Sequence, residues 1–278
     1  MLLHRYLPLL LFTLLSTCVL AQNDDGKKFS GIFQPSDAEI HTVTQTGWDS
    51  FLAEKQRQRS AGFRLLDLET YRKGGDRNYV GTFSKSPLRD SVGVAHSWSE
   101  FIRLKRKMAR AEYTMVDVTA VVLNESDTDF YGVWVKEETP TIHKVWLLDS
   151  RKTIAKKTKD MAKDRFKIKR VHVLDVPNGE PSFVVLYHFS PINRFNFLSF
   201  ADDLAAFNEE LLSRKESKVQ LIDFDRFREG NETRYVAVFQ DGEYDSEFLS
   251  DKPLSELQAQ GKELDKEKGL KLVNLCVD

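Results

Sequence analysis

Cysteine is nearly absent from the chain. Of the two, Cys18 lies within the first 21 residues, which leaves Cys276 with no partner for an internal disulfide. A disulfide-stapled fold is therefore excluded, and the core must suffice alone. Beyond the first 21 residues no stretch approaches 18 consecutive apolar residues, which excludes an ordinary membrane-spanning helix there. The formal net charge is only -1, so nothing in the balance calls for nucleic acid. Catalytic signatures are missing too: there is neither a Ser-x-x-Lys motif nor a Gly-x-Ser-x-Gly elbow.

What is present begins with a leader. His4 and Arg5 give a positive start, Leu9 to Leu15 an apolar run, and Val19-Leu20-Ala21 a small-residue cleavage site. Residues 1–21 read as a secretory signal, with an uncleaved anchor as the rival. Thr17 fits poorly before a lipidated Cys18. The expectation is an exported protein with one domain over residues 22–278. Charge is uneven: Arg151 to Arg170 holds ten Lys or Arg against two Asp, and Asp241 to Asp251 five acids and no base. Solvated surfaces explain both, and a patch for an anionic partner is the sharper alternative.

A repeat organises the rest. Five alternating stretches begin at Phe63, Tyr113, Ile168, Val219 and Leu270, spaced 50, 55, 51 and 51 residues apart. A second series reads aromatic, any, small, aliphatic, aromatic: Phe29–Phe33, Tyr79–Phe83, Phe130–Trp134, Phe183–Tyr187 and Tyr235–Phe239. Both read as strands. Turn signals join them into hairpins at Gly74-Gly75-Asp76, Asn124 to Asp127, Pro177-Asn178-Gly179 and Glu229-Gly230-Asn231. Before each first strand lies a helical stripe: Trp48, Phe51 and Leu52; Trp98, Phe101, Ile102 and Met108; Ile154 and Met161; Leu204, Phe207 and Leu211; Leu254, Leu257 and Leu264. Ser97 with Glu100 reads as a capping box, and Pro253 as a first-turn proline.

The ends carry complementary halves. The opening strand, Phe29–Phe33, has no partner before it, and the closing strand, Leu270–Cys276, none after it. Each half alone exposes unpaired backbone. The expected fold is α+β: a closed, propeller-like ring of five helix–strand–strand repeats with ten strands in five hairpins. Strand pairing between the chain ends completes one repeat. An open stack with the halves as caps is the alternative.

The unit resembles a bacterial tandem-repeat family found beside beta-lactamase-like serine hydrolases such as polyglycine hydrolases. Gly62-Phe-Arg-Leu-Leu-Asp-Leu-Glu-Thr-Tyr71, continuing through Gly75, Tyr79, Gly81 and Phe83, carries the likeness, as does His96-Ser-Trp-Ser-Glu-Phe101. The third unit departs, with Arg170, His172 and Val185 where the others differ. The resemblance implies a recognition or positioning module, with the chemistry in a separate hydrolase.

One column stands out as a candidate ligand site: Asp67, Asp117, His172, Asp223 and Asn274, each polar among apolar neighbours. Around a ring these converge on the axis, where carboxylates, an imidazole and an amide suit a cation or polar ligand. The bland alternative is that each bonds a turn or pairs with a base such as Arg64 or Arg234. His41, His96 and His143 fall in loops leading to helices, too dispersed for zinc, and His188 carries no signal. The aromatic pairs suit core packing better than sugar platforms. Cys276 suits a buried strand position better than a nucleophile. Asn124 and Asn231 open glycosylation sequons. The expected function is a non-catalytic binding module for a polymer or envelope component, without a cofactor. The alternatives are a hydrolase using the Asp/His column and an assembly protein.

Overall fold

The computed structural model describes residues 26–124, 127–174, 180–192, 194–242 and 246–277. The leader and the Pro177-Asn178-Gly179 turn lie outside the described residues. The chain opens with β1 (Phe29–Pro35). The first unit is β2 (Ile40–Thr46), α1 (Trp48–Ser60), β3 (Phe63–Lys73) and β4 (Asp76–Lys85). The second is β5 (Arg89–Ala95), α2 (Trp98–Arg110), β6 (Tyr113–Val122) and β7 (Thr128–Lys136). The third is β8 (His143–Leu148), α3 (Arg151–Lys163), β9 (Phe166–Leu174) and β10 (Ser182–Phe189). The fourth is β11 (Asn196–Ala201), α4 (Leu204–Glu216), β12 (Val219–Glu229) and β13 (Glu232–Asp241). Then come β14 (Glu247–Lys252), α5 (Leu254–Lys268) and β15 (Leu270–Val277).

Fifteen strands are thus described where ten were expected. Each unit has an extra strand before its helix, and these make five three-stranded antiparallel sheets: β2-β4-β3, β5-β7-β6, β8-β10-β9, β11-β13-β12 and β14-β1-β15. The aromatic-rich strand is always central. In the last sheet that centre is β1, where Ser30 opposes Cys276 of β15 and Phe29 opposes both Val277 and Lys252 of β14. The two chain ends therefore share one sheet.

Two buried faces explain the composition of the central strands. The first and last aromatics of each motif, from Phe29 and Phe33 to Tyr235 and Phe239, are buried. They turn toward their own helix and meet Phe51, Phe101, Ile154, Phe207 or Leu257, all buried. The intervening residues pack on the preceding unit: Tyr131 and Val133 on the first, Val184 and Leu186 on the second, Val236 and Val238 on the third, Ile32 on the fourth. Val80 of the first unit packs with Phe29 and Leu257 of the last. Each fully buried aromatic contributes about 2–3 kcal/mol.

The small central residue of the motif makes room for rings. A methyl at Gly81 would come within 2.7 Å of Phe83 and 3.0 Å of Phe51, and one at Gly132 within 2.4 Å of Trp134. In the third unit a smaller Ile154 replaces the helix aromatic, and Val185 fills the volume released. Helix starts differ from expectation in detail. Ser97 caps Glu100 N–H, but Glu100 reaches back to His96 N–H and leaves the box incomplete. The complete box is Ser150 with Thr153, and Pro253 precedes α5 instead of entering it. Leu52, expected on the apolar face, is exposed. The residue or two after each helix turn the chain through a left-handed conformation at Gly62, Glu112, Arg165, Lys218 and Gly269.

Each post-helix strand contacts the next in the order β3, β6, β9, β12, β15, and β15 contacts β3. Their apolar face turns to the helices, and their polar residues face one another.

Candidate functional site

The site is built by a repeated β-bulge. In all five post-helix strands the ladder with the central strand skips one residue: Leu66, Val116, Lys169, Ile222 and Val273. A bulge re-aims the side chain that follows it. The five residues so aimed are Asp67, Asp117, Arg170, Asp223 and Asn274, every one buried.

The structure thus brings together four of the five expected residues and replaces His172 with Arg170. The Arg170 guanidinium stands among three carboxylates. Its Nη1 lies 3.2 Å from Asp223 Oδ1, its Nε 3.2 Å from Asp117 Oδ1, and its Nη2 3.8 Å from Asp67 Oδ1. Asn274 Nδ2 donates to Asp223 Oδ1 at 2.6 Å. Arg170, not Arg64 or Arg234, is the base that pairs with the column, and it occupies the centre a cation would need.

The other carboxylate oxygens join neighbouring sheets. Asp117 Oδ2 accepts the N–H of Leu68 at 2.9 Å, Asp67 Oδ2 that of Leu275 at 3.3 Å, and Asp223 Oδ2 that of Val171. Each Asp thereby satisfies a backbone donor in the preceding sheet that would otherwise be a costly orphan. Burial pushes the Asp67 carboxyl well above its ordinary range, and the charges of Asp117 and Asp223 add to this. Burial also raises Asp117 against the pull of Arg170, and raises Asp223 to about 7. Burial opposes the charge on Arg170, but Asp223, Asp117 and Asp67 outweigh it and raise its pKa.

Two residues further along each strand lies a second tier: Glu69, Thr119, His172, Asp225 and Cys276. His172 Nε2 donates to Ala120 O at 2.8 Å, and its Nδ1 faces Asp225 Oδ2 at 3.2 Å. Asp225 Oδ2 also accepts Val173 N–H at 2.7 Å, and Cys276 Sγ donates to Asp225 Oδ1 at 3.2 Å. Burial, then the Asp225 charge, holds the Cys276 thiol well above its ordinary pKa. Burial and the Asp67 charge likewise raise Glu69. A nucleophilic thiol needs a lowered pKa or an imidazole in direct contact to take its proton. Here a carboxylate stands between thiol and imidazole, and both imidazole nitrogens are engaged.

The remaining histidines are placed separately. His41 and His143 lie in β2 and β8, not in loops. His41 Nε2 bonds Gln58 Oε1 at 2.8 Å, His96 Nδ1 meets Asp129 Oδ1 at 2.7 Å, and His143 Nδ1 bonds Thr141 O at 3.1 Å. His188 Nε2 donates to Met115 O at 2.7 Å, across to the second sheet. Among the described residues no three His, Cys, Asp or Glu side chains gather as metal ligands. No helix among them is long and apolar enough to cross a membrane. Asn124 and Asn231 are exposed between strands.

Residues 48–86 match the model of a family described as a polyglycine hydrolase-like structural repeat. That segment takes in α1, β3 and β4, one helix–strand–strand unit, and it is the family that the Gly62–Phe83 motif resembles. No curated protein matches the chain at a significant level.

Proposed function

We propose that this protein is an exported, non-catalytic recognition module of polyglycine hydrolase-like structural repeats, closed into a five-sheet ring, that binds a polymer or envelope component. One observation carries the non-catalytic reading: the axial tiers use their acids, base and thiol on one another. Arg170 is held by three carboxylates, His172 at both nitrogens, and Cys276 by Asp225. Groups so engaged stabilise a fold.

Closure is supported at every junction. Asp117 bridges the second sheet to the first, His188 the third to the second, Asp223 the fourth to the third, Gln34 the fifth to the fourth, and Asp67 the first to the fifth. Export rests on the leader sequence, and mature protein should begin at Gln22.

The test sets the purified protein against peptide and ester substrates and against arrays of envelope and polysaccharide polymers. Saturable binding without turnover is expected. Turnover abolished by both His172→Ala and Asp117→Ala would replace this reading with a hydrolase. A defined oligomer with neither binding nor turnover would make the protein an assembly component.

A further inference from the structure

An opening of about 290 Å³ lies over the bulge of the third sheet, with Arg170 in its wall. Lys167 and Lys169 line it, together with Gln34, His188, Ser190 and Gln220. At the positions matching Lys169 and Arg170 the other sheets hold an apolar residue, Asp or Asn, whereas Lys167 is matched by Arg64 in the first sheet and Lys271 in the fifth. What sets the third sheet apart is therefore the pair Lys169 and Arg170 at its bulge. Among the described residues, no hydrogen bond or ion pair ties down either lysine ammonium. Lys169 reaches solvent through the opening, yet protein surrounds it, and this desolvation, helped by Arg170, lowers its pKa to about 8. It remains predominantly charged at neutral pH.

The other lining groups mostly want donors. Gln220 is 7% exposed, and among the described residues its Oε1 has no hydrogen-bond partner. Gln34 spends its Nε2 on Leu221 O at 2.9 Å, which leaves its own carbonyl oxygen. His188 Nε2 donates to Met115 O, and burial pushes the ring pKa down to about 3, so a neutral imidazole keeps Nδ1 as an acceptor. Ser190 Oγ donates to Ile192 O at 3.0 Å and retains its lone pairs.

We propose that this opening binds a hydroxylated carboxylate, of the kind found in an acidic sugar unit, with Lys167 and Lys169 on the carboxylate and Gln220, Gln34 and His188 accepting from hydroxyl groups. Two ammonium groups supply charge-assisted hydrogen bonds to the anion. The acceptors discriminate. Inorganic phosphate is mainly an acceptor itself and leaves Gln220 Oε1 unmatched, and a neutral sugar leaves the lysines unpaired. A buried acceptor left without a donor is costly, and this selects between these ligands. The inference rests on the binding-module reading, to which it adds a ligand class.

The experiment titrates the protein with sodium glucuronate, glucose and inorganic phosphate, following heat and amide chemical shifts. Saturable binding of glucuronate alone is expected. Lys169→Met should weaken it at least about tenfold, equivalent to about 1.4 kcal/mol, while Lys169→Arg should stay close to wild type. Affinity should also fall as pH rises through about 8, where Lys169 gives up its proton. Absence of a saturable glucuronate response, equal binding of phosphate, or unchanged affinity in Lys169→Met would each overturn the site. Polymer binding on the arrays with no response to glucuronate removes this inference and leaves the module reading intact.

Discussion

Nε of Arg170 lies 3.2 Å from Oδ1 of Asp117, across the junction of the third and second sheets. The same guanidinium reaches Asp223 of the fourth sheet and Asp67 of the first. One side chain thus ties four units at a point where all charges are buried. Removing one partner of a buried ion pair costs about 3–5 kcal/mol because it strands the other charge. Arg170→Met should lose stability on that scale in urea denaturation. Adding Asp67→Asn, Asp117→Asn and Asp223→Asn should restore part of the loss. A single variant within about 1 kcal/mol of wild type would show that the cluster does not hold the units together.

The buried acids and the buried imidazole respond to pH in opposite directions. The Asp223 carboxyl is raised from 3.8 to about 7, so the folded chain holds its proton more tightly than the unfolded chain. Its contribution is full below the unfolded value and is lost as pH rises through about 7. His188 is lowered from 6.5 to about 3, so its contribution is full above 6.5 and is lost as pH falls through about 3. Melting curves should show the advantage of wild type over Asp223→Asn shrinking between about pH 4 and pH 7.5. The advantage over His188→Gln should grow across the same range. Gln34 makes the corresponding contact in the fifth sheet, so glutamine preserves the donor.

How far this arrangement was legible in the sequence turns on two residues. The third post-helix strand starts at Phe166, not Ile168, so the spacings are 50, 53, 53 and 51. A slip of two residues keeps every side chain on its face, so the alternating pattern still matched while His172 took the place of Arg170. The interval of 55 was the trace of the error. Four of the bulges leave an apolar doublet that breaks the alternation, Leu65-Leu66, Met115-Val116, Leu221-Ile222 and Leu272-Val273, but the third strand has Ile168-Lys169 instead, so no single pattern marks all five. The pre-helix strands were missed for another reason: as half-exposed edge strands, sequences such as Ile40–Thr46 and Glu247–Lys252 share little pattern. The partnership of the chain ends was legible because each carried half of a unit whose other half the repeat defined.

Packing at the aromatic motif gives a sharper test than burial alone. A Cβ at Gly132 would sit 2.4 Å from the Trp134 ring, closer than side chains tolerate. Trp134 is fully buried against Phe101 and has little room to retreat. Gly132→Ala should therefore cost about 1–3 kcal/mol by overpacking. Gly132→Ala combined with Trp134→Leu should be less destabilised than the sum of the separate changes. Strict additivity, measured by chemical denaturation, would mean that the glycine serves some other purpose.

The chain ends can be joined covalently with a single substitution. Ser30 of β1 stands directly opposite Cys276 of β15, and both are buried. Opposed antiparallel residues have Cα atoms about 4.5–5.5 Å apart, inside the range a disulfide spans. Ser30→Cys should pair with the native Cys276 on oxidation. The bond would link residues from opposite ends of the sequence and restrict the unfolded chain over nearly its whole length. Stabilisation of about 2–4 kcal/mol is expected, reversed by reductant. The oxidised protein should lose about 2 Da, and digestion should yield a peptide joining the two strands, because each cross-link removes two thiol hydrogens. Free thiols after oxidation would show that β1 and β15 do not stay in register in solution. An open stack would separate its two terminal units and leave these thiols apart, so bond formation distinguishes the ring from the stack without reference to any ligand.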